Sequence, residues 1–137
     1  MELVKISTIE QAKIINDPLK EEPETENTHP FYINPGAFTY ENIFSLKHNG
    51  QNVGLVFLKD HGEGCAEIYK FYIYTPFRRC GLGRLAVETI ISVLKTEGYN
   101  ELCLEVLTFD LVPFWTRFDF EPLAPEFAGN RHFQRKI

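Results

Sequence analysis

The chain has 137 residues, 44% of them hydrophobic and 24% charged, with a formal net charge of −5. That length predicts a single domain over residues 1–137 that can bury a core without disulfide or metal staples. No apolar run approaches the roughly 20 residues a membrane helix needs, so no membrane partner is expected.

All the excess acid lies in the first half: residues 1–76 carry 6 Lys/Arg against 11 Asp/Glu, and residues 77–137 carry 8 of each. A nucleic-acid binder would show a basic patch, and none is visible. "MELVKISTIEQAK" lacks the basic and then apolar regions of a signal peptide. Cys65, Cys80 and Cys103 are odd in number and show no CxxC spacing. They predict neither a disulfide framework nor a zinc site, and a reducing cytoplasm is the simplest compartment. His29, His48, His61 and His132 show no metal-ligand spacing and read as surface residues, so no metal is expected.

In chain order, "ELVKIST" (2–8) reads as a strand. "TIEQAKIIND" (8–17) reads as a helix, capped by Thr8 with Glu10 following and stopped by Pro18. Residues 18–37, rich in proline and acid, read as a loop. "NIFSLKHN" and "QNVGLVFLKD" form a tight hairpin about Gly50. "HGEG" turns the chain into an aromatic third strand, "CAEIYKFYIY".

A helix of about four turns follows, with Leu82, Leu85, Ala86, Thr89, Ile90, Val93 and Leu94 on one face and Gly98 as its stop. Val87 and Ile91 fall outside that stripe; they either pack under strands or mark a partner surface. "ELCLEVLT" (101–108) reads as a strand joined by a parallel crossover. "LVPFWTRFDF" reads as a short helix, and the remainder as a closing hairpin. The order β-α-loop-β-β-β-α-β-α-β-β predicts an α+β fold with a mixed sheet of about seven strands.

"RRCGLGR" (78–84) precedes the long helix directly. Its glycines allow close backbone approach, the helix N-terminus favours an anion, and Arg78, Arg79 and Arg84 add positive charge. A dinucleotide fingerprint is a poor fit, because Thr75–Cys80 intervene after the strand and an antiparallel meander comes first. A Walker loop is excluded by the lack of Gly-Lys-Ser/Thr.

"RRCGLG" resembles the R/Q-x-x-G-x-G/A pyrophosphate loop of the GNAT acetyltransferase superfamily. The flanking "FYIYTPFRRCGLG", "LEVLTFD" and "PFWTRFDF" are similar to that family's adjoining strands and helix. The resemblance is good over residues 65–120 and topological elsewhere. It implies a GNAT-type fold and an N-acetyltransferase that moves an acetyl group from acetyl-CoA to a primary amine by direct attack in a ternary complex.

By position it implies that the pantetheine arm pairs with the backbone of Tyr72, Ile73 and Tyr74. The pyrophosphate would sit on the N–H groups of Arg79, Cys80, Gly81, Leu82, Gly83 and Arg84, with Arg78 beside them. The Ile73 N–H is the candidate oxyanion donor. Glu67, eleven residues before Arg78, is the candidate base, expected to be buried among Tyr69, Phe71 and Ile73. The competing reading is a solvent-facing strand-end glutamate.

The sequence departs from the family at Trp115, which stands where a tyrosine acid is common; an indole donates but supplies no proton. The leaving thiolate would then take a proton from water, from Tyr72 or Tyr74, or from none. Asp110 replaces an asparagine that meets the pantetheine arm, and Asp119 replaces a glycine.

The acceptor is expected to be a small-molecule or peptide amine. The acidic Glu21, Glu22, Glu24 and Glu26, followed by Phe31, Tyr32, Phe38 and Tyr40, suit a cationic one. Two alternatives stay open: an acyl-CoA-binding or sensor protein of weak catalysis, and a transferase of longer acyl groups. Homodimers are usual among look-alikes, and the closing hairpin and Val87/Ile91 offer surfaces.

Overall fold

The first helix shows how local chemistry and burial compete. In the computed structural model, which describes residues 1–20, 42–106, 109–123 and 132–137, a strand β1 (Glu2–Lys5) leads into α1 (Ile9–Lys20). Thr8 caps α1: its Oγ1 accepts from the Gln11 N–H at 3.2 Å, and Gln11 Oε1 accepts from the Thr8 N–H at 3.1 Å. This is a reciprocal capping box, with Gln11 rather than Glu10 as the partner.

Pro18 does not stop the helix, which runs on to Lys20. Proline in the last turn removes a single intrahelical bond. Continuing one more turn buries Leu19 on the same stripe as Ala12 and Ile15, each no more than 1% exposed. Burying a leucine is worth about 1.5–3 kcal/mol. The acidic segment and its aromatics, from Glu21 to Tyr40, lie outside the described residues.

Next come β2 (Ile43–His48) and β3 (Gln51–Gly62), joined by Asn49–Gly50. Both turn residues have positive φ, 51° and 78°, as the tight twisted hairpin demands. β4 (Cys65–Ile73) follows, then α2 (Leu82–Thr96), β5 (Glu101–Glu105), α3 (Val112–Thr116), β6 (Glu121–Pro122) and β7 (His132–Lys136). The strands form one seven-stranded sheet in the order β1-β2-β3-β4-β5-β7-β6. β4 and β5 are parallel, in register from Cys65–Glu101 to Ile68–Leu104. β5 then pairs antiparallel with β7, and β7 with β6. The expected element order and mixed sheet are therefore present, with the closing hairpin at one edge.

The chain divides into two compact units: residues 1–57 with 70–90, and residues 58–69 with 91–137. In the first, Ile15, Leu19, Ile43, Leu55, Tyr72 and Tyr74 form the centre of a core, with Phe57 and Phe77 packed against it. Gly54 in β3 is required by close approach: a Cβ there would lie 2.2 Å from the Tyr72 carbonyl oxygen. In the second unit the buried residues include Ile68, Leu102, Leu104, Phe118 and Phe133. Trp115 stacks edge-on to Phe114 and Phe120 there.

The buried stripe of α2 is turned from the expected one. Ala86, Val87, Ile90, Ile91 and Leu94 are its deepest residues, while Leu85, Thr89 and Val93 are only half-buried. Val87 and Ile91 thus belong to the interior and are not an exposed partner surface.

Candidate functional site

The loop between β4 and α2 is held at both ends. Thr75–Phe77 form a single 3-10 turn that opens on Pro76, and the Arg78 N–H bonds to the Thr75 carbonyl at 3.2 Å. Arg79 then takes φ 61° and Gly81 φ 79°, with Cys80 of ordinary hand between them. Alternating hand makes successive backbone N–H groups converge into a concavity of positive potential. Glycine enters the left-handed region freely, whereas an L-residue such as Arg79 costs about 1–2 kcal/mol there.

Helix α2 starts immediately afterwards, its ladder opening with the Leu85 N–H on the Gly81 carbonyl at 3.1 Å. The N–H groups of Leu82, Gly83 and Arg84 precede that first bond, so they lack the i−4 acceptors of a helix interior and carry its positive end. An anion seated at this turn would meet backbone donors before any side chain.

The arginines are arranged differently from one another. Arg78 Nε donates to the Ile73 carbonyl at 2.9 Å, and its guanidinium lies 4.8 Å from the Tyr72 ring centroid. It fastens the loop to the end of β4. Arg84 Nε pairs with Glu88 Oε1 at 3.0 Å one turn along α2, both side chains being more than half exposed. The Cys80 thiol donates to the Phe77 carbonyl at 2.9 Å.

The end of β4 carries the residues expected to meet a pantetheine arm. The Tyr74 N–H is already bonded to the Val53 carbonyl of β3 at 3.0 Å. Neighbouring residues of a strand turn their backbone groups to opposite edges. Ile73 therefore faces away from β3, and Arg78 takes its carbonyl there. The Tyr74 hydroxyl donates to the Ile15 carbonyl at 2.8 Å, and the ring is fully buried. Burial, then the neighbouring Tyr72, pushes its phenol pKa well above the ordinary value. Of the two tyrosines considered as acids, Tyr74 spends its proton on holding α1.

Glu67 sits at the other end of β4, in different surroundings from those expected. Tyr69 is 48% exposed, with the Lys59 ammonium 3.5 Å from its ring centroid, so this ring does not bury the carboxylate as expected. Glu67 Oε1 instead meets His61 Nε2 at 2.6 Å, and the Glu67 side chain is 21% exposed. Cys103 is the register partner of Glu67 on β5. Burial pushes its thiol up to about 12, assisted by the charge of Cys65, a hydrogen bond with Cys65, and the carboxylates of Glu67 and Glu101.

Asp110 is exposed on a 3-10 turn, Phe109–Leu111. Trp115 is 7% exposed. Asp119 adopts φ 63°, the left-handed conformation in which glycine is the easier residue. His61 and Cys103 were not read from the sequence as site residues. His61 reaches Glu67 across the β3–β4 turn, six positions away, which a hairpin register could have found, whereas Cys103 reaches it by adjacency of β4 and β5, which no local spacing encodes.

The family model described as the acetyltransferase (GNAT) family matches residues 11–120, and the chain belongs to that family of acyltransferases. It is 29% identical over 85 residues to an uncharacterised N-acetyltransferase of Chlorobaculum tepidum, across 62% of this chain and 53% of the relative. The match therefore spans about half the length of that curated protein. Among solved structures, a GNAT-family acetyltransferase of Staphylococcus aureus superposes with a TM-score of 0.70 at 12% identity, covering 98% of each chain. The PaiA N-acetyltransferase of Thermoplasma acidophilum, in complex with coenzyme A, superposes at 0.64 with 14% identity, over 99% of this chain and 96% of that one. At those identities the likeness shows the fold. No helix among the described residues is long and apolar enough to cross a membrane.

Proposed function

We propose that the protein is an N-acetyltransferase that moves an acetyl group from acetyl-CoA to a primary amine by direct attack in a ternary complex. The observation that carries this reading is the alternating hand at Arg79 and Gly81 at the mouth of α2. Such a turn suits a pyrophosphate, and the family supplies the reason for one to be there. Arg79 through Arg84 would hold the diphosphate by backbone N–H groups. Arg78 acts by fixing the loop to β4. The arm of the donor would extend along β4 by the outward edge of Ile73, whose N–H is the candidate oxyanion donor. Tyr72 flanks that edge, while Tyr74 supports it from the core. Asp110 and Trp115 complete the donor site by resemblance, Trp115 as a packing surface.

Glu67 is the proposed base. With its side chain 21% exposed, it would take the amine's proton through ordered water. With Trp115 unable to acidify and Tyr74 bonded to Ile15, Tyr72 and solvent are the remaining proton sources for the leaving thiolate. The acidic, aromatic segment between α1 and β2 makes a cationic amine the favoured acceptor class.

The test is an acetyl-CoA-dependent panel of amines read by thiol release, beside a melting curve with and without acetyl-CoA. A raised melting temperature with thiol release on at least one cationic amine supports the reading. A raised melting temperature with no release on any amine converts it to an acyl-CoA-binding protein. No shift at millimolar acetyl-CoA ends the donor assignment.

A further inference from the structure

Three neighbouring strands of the second unit each offer one metal-ligating side chain in a single row. His61 comes from β3, Glu67 from β4 and Cys103 from β5, strands adjacent in the sheet. His61 Nε2, a Glu67 carboxylate oxygen and Cys103 Sγ all lie within 4.8 Å of one another. Glu67 and Cys103 are direct register partners, so the ladder itself sets their approach. The histidine is nearly half exposed, which leaves the row open to solvent from one side.

We propose that His61, Glu67 and Cys103 form a binding site for a thiophilic divalent cation of the zinc type. The donor set decides the class. Imidazole, carboxylate and thiolate together suit a borderline-soft ion, whereas magnesium and calcium choose oxygen alone. The geometry is close to what such an ion needs. With bonds of about 2.0–2.3 Å, the donors of a tetrahedral site stand about 3.3–3.8 Å apart. The imidazole and carboxylate must open from 2.6 Å, by roughly 0.7 Å, and the sulfur must close in by at most about 1 Å. Water fills the fourth position.

Binding breaks the Cys103 S–H bond. The proton goes to solvent, and the freed electron pair makes the metal bond. His61 donates from Nε2 with its proton on Nδ1, and Glu67 donates as the carboxylate. Cys65, hydrogen-bonded to Cys103, lies beside the trio and outside it.

The site shares Glu67 with the transferase reading but does not rest on it, because its test reads cation binding directly. Chelator-treated, reduced protein is titrated with Co²⁺ and followed by absorption, in the wild type and in a Cys80→Ser background that removes the exposed thiol. One equivalent is expected to bring on tetrahedral visible bands together with a thiolate-to-cobalt charge-transfer band. Zn²⁺ should bleach both, and Mg²⁺ neither. Cys103→Ser should abolish the charge-transfer band. His61→Ala should weaken binding by more than the about 10–100-fold that an outer-shell partner costs. Glu67→Gln, which keeps the shape of the side chain but removes the anionic oxygen, should shift the visible bands and weaken binding, and it serves should Cys103→Ser fold poorly. An absent charge-transfer band in the wild type overturns the site. So does an unchanged spectrum in either the cysteine or the glutamine variant.

Discussion

The two ends of β4 are built on opposite plans. At its C-terminal end the chemistry is in the backbone: left-handed turns at Arg79 and Gly81 deliver N–H groups to the start of α2, and the side chains of Arg78 and Arg84 are engaged in fastening and pairing. At its N-terminal end the backbone is an ordinary ladder and the chemistry is in side chains, with His61 and Cys103 flanking Glu67. A backbone site is contiguous in sequence and tolerates many side chains. A side-chain site is assembled by strand adjacency and tolerates almost none.

That contrast can be broken from either end. The largest expected effect is at Glu67. Glu67→Gln should lower kcat about 100-fold at neutral pH, the modest end of proton-transfer catalysis because water intervenes. The loss should shrink as pH rises and the amine sheds its own proton. An unchanged pH–rate profile would remove Glu67 as the base and leave it to the cation site alone.

A smaller effect is expected at the backbone end. Gly81→Ala places a side chain at φ 79°, which costs about 1–2 kcal/mol unless the turn rearranges. Relaxation of the turn should raise the KM for acetyl-CoA about tenfold while leaving kcat nearly intact. A fall in kcat at unchanged KM would mean that the turn serves the reacting centre and not the donor.

The smallest effect sharpens the side-chain end without replacing anything. The Cys103 thiol, raised to about 12, keeps its proton when an unfolded chain would have lost it. Its contribution to stability is therefore fully present below the ordinary thiol range and is lost as pH climbs toward about 12. In metal-free protein, mass-spectrometric mapping of iodoacetamide labelling should find Cys103 slow near pH 8 and faster through that window. Labelling of Cys103 as quick as that of exposed Cys80 near pH 8 would contradict it.

The same contrast explains what could be read in advance. The glycine loop, the presence of α2 and the order of strands were legible because each is encoded within a few neighbouring residues. Pro18 misled because a local rule was outweighed by the burial of Leu19 one residue later. Val87 and Ile91 could not be placed, since the width of a helix's buried face depends on how many neighbours cover it. His61 lies six positions from Glu67 across the β3–β4 turn, and only the register of that hairpin was missing. Cys103 was invisible for a stronger reason, since it meets Glu67 only after β4 and β5 have aligned across the helix between them. The end of Tyr74's hydroxyl on Ile15, 59 positions away, was equally out of reach.

The position of β5 has a consequence for how the protein is made. It lies between β4, which the ribosome has already released, and β7, which comes last of the seven strands. Until β7 docks, β5 has one neighbour and presents a bare row of N–H and C=O groups on its other side, the kind of edge that recruits foreign strands. A chain cut short before β7 should therefore aggregate or engage a chaperone more readily than the full chain.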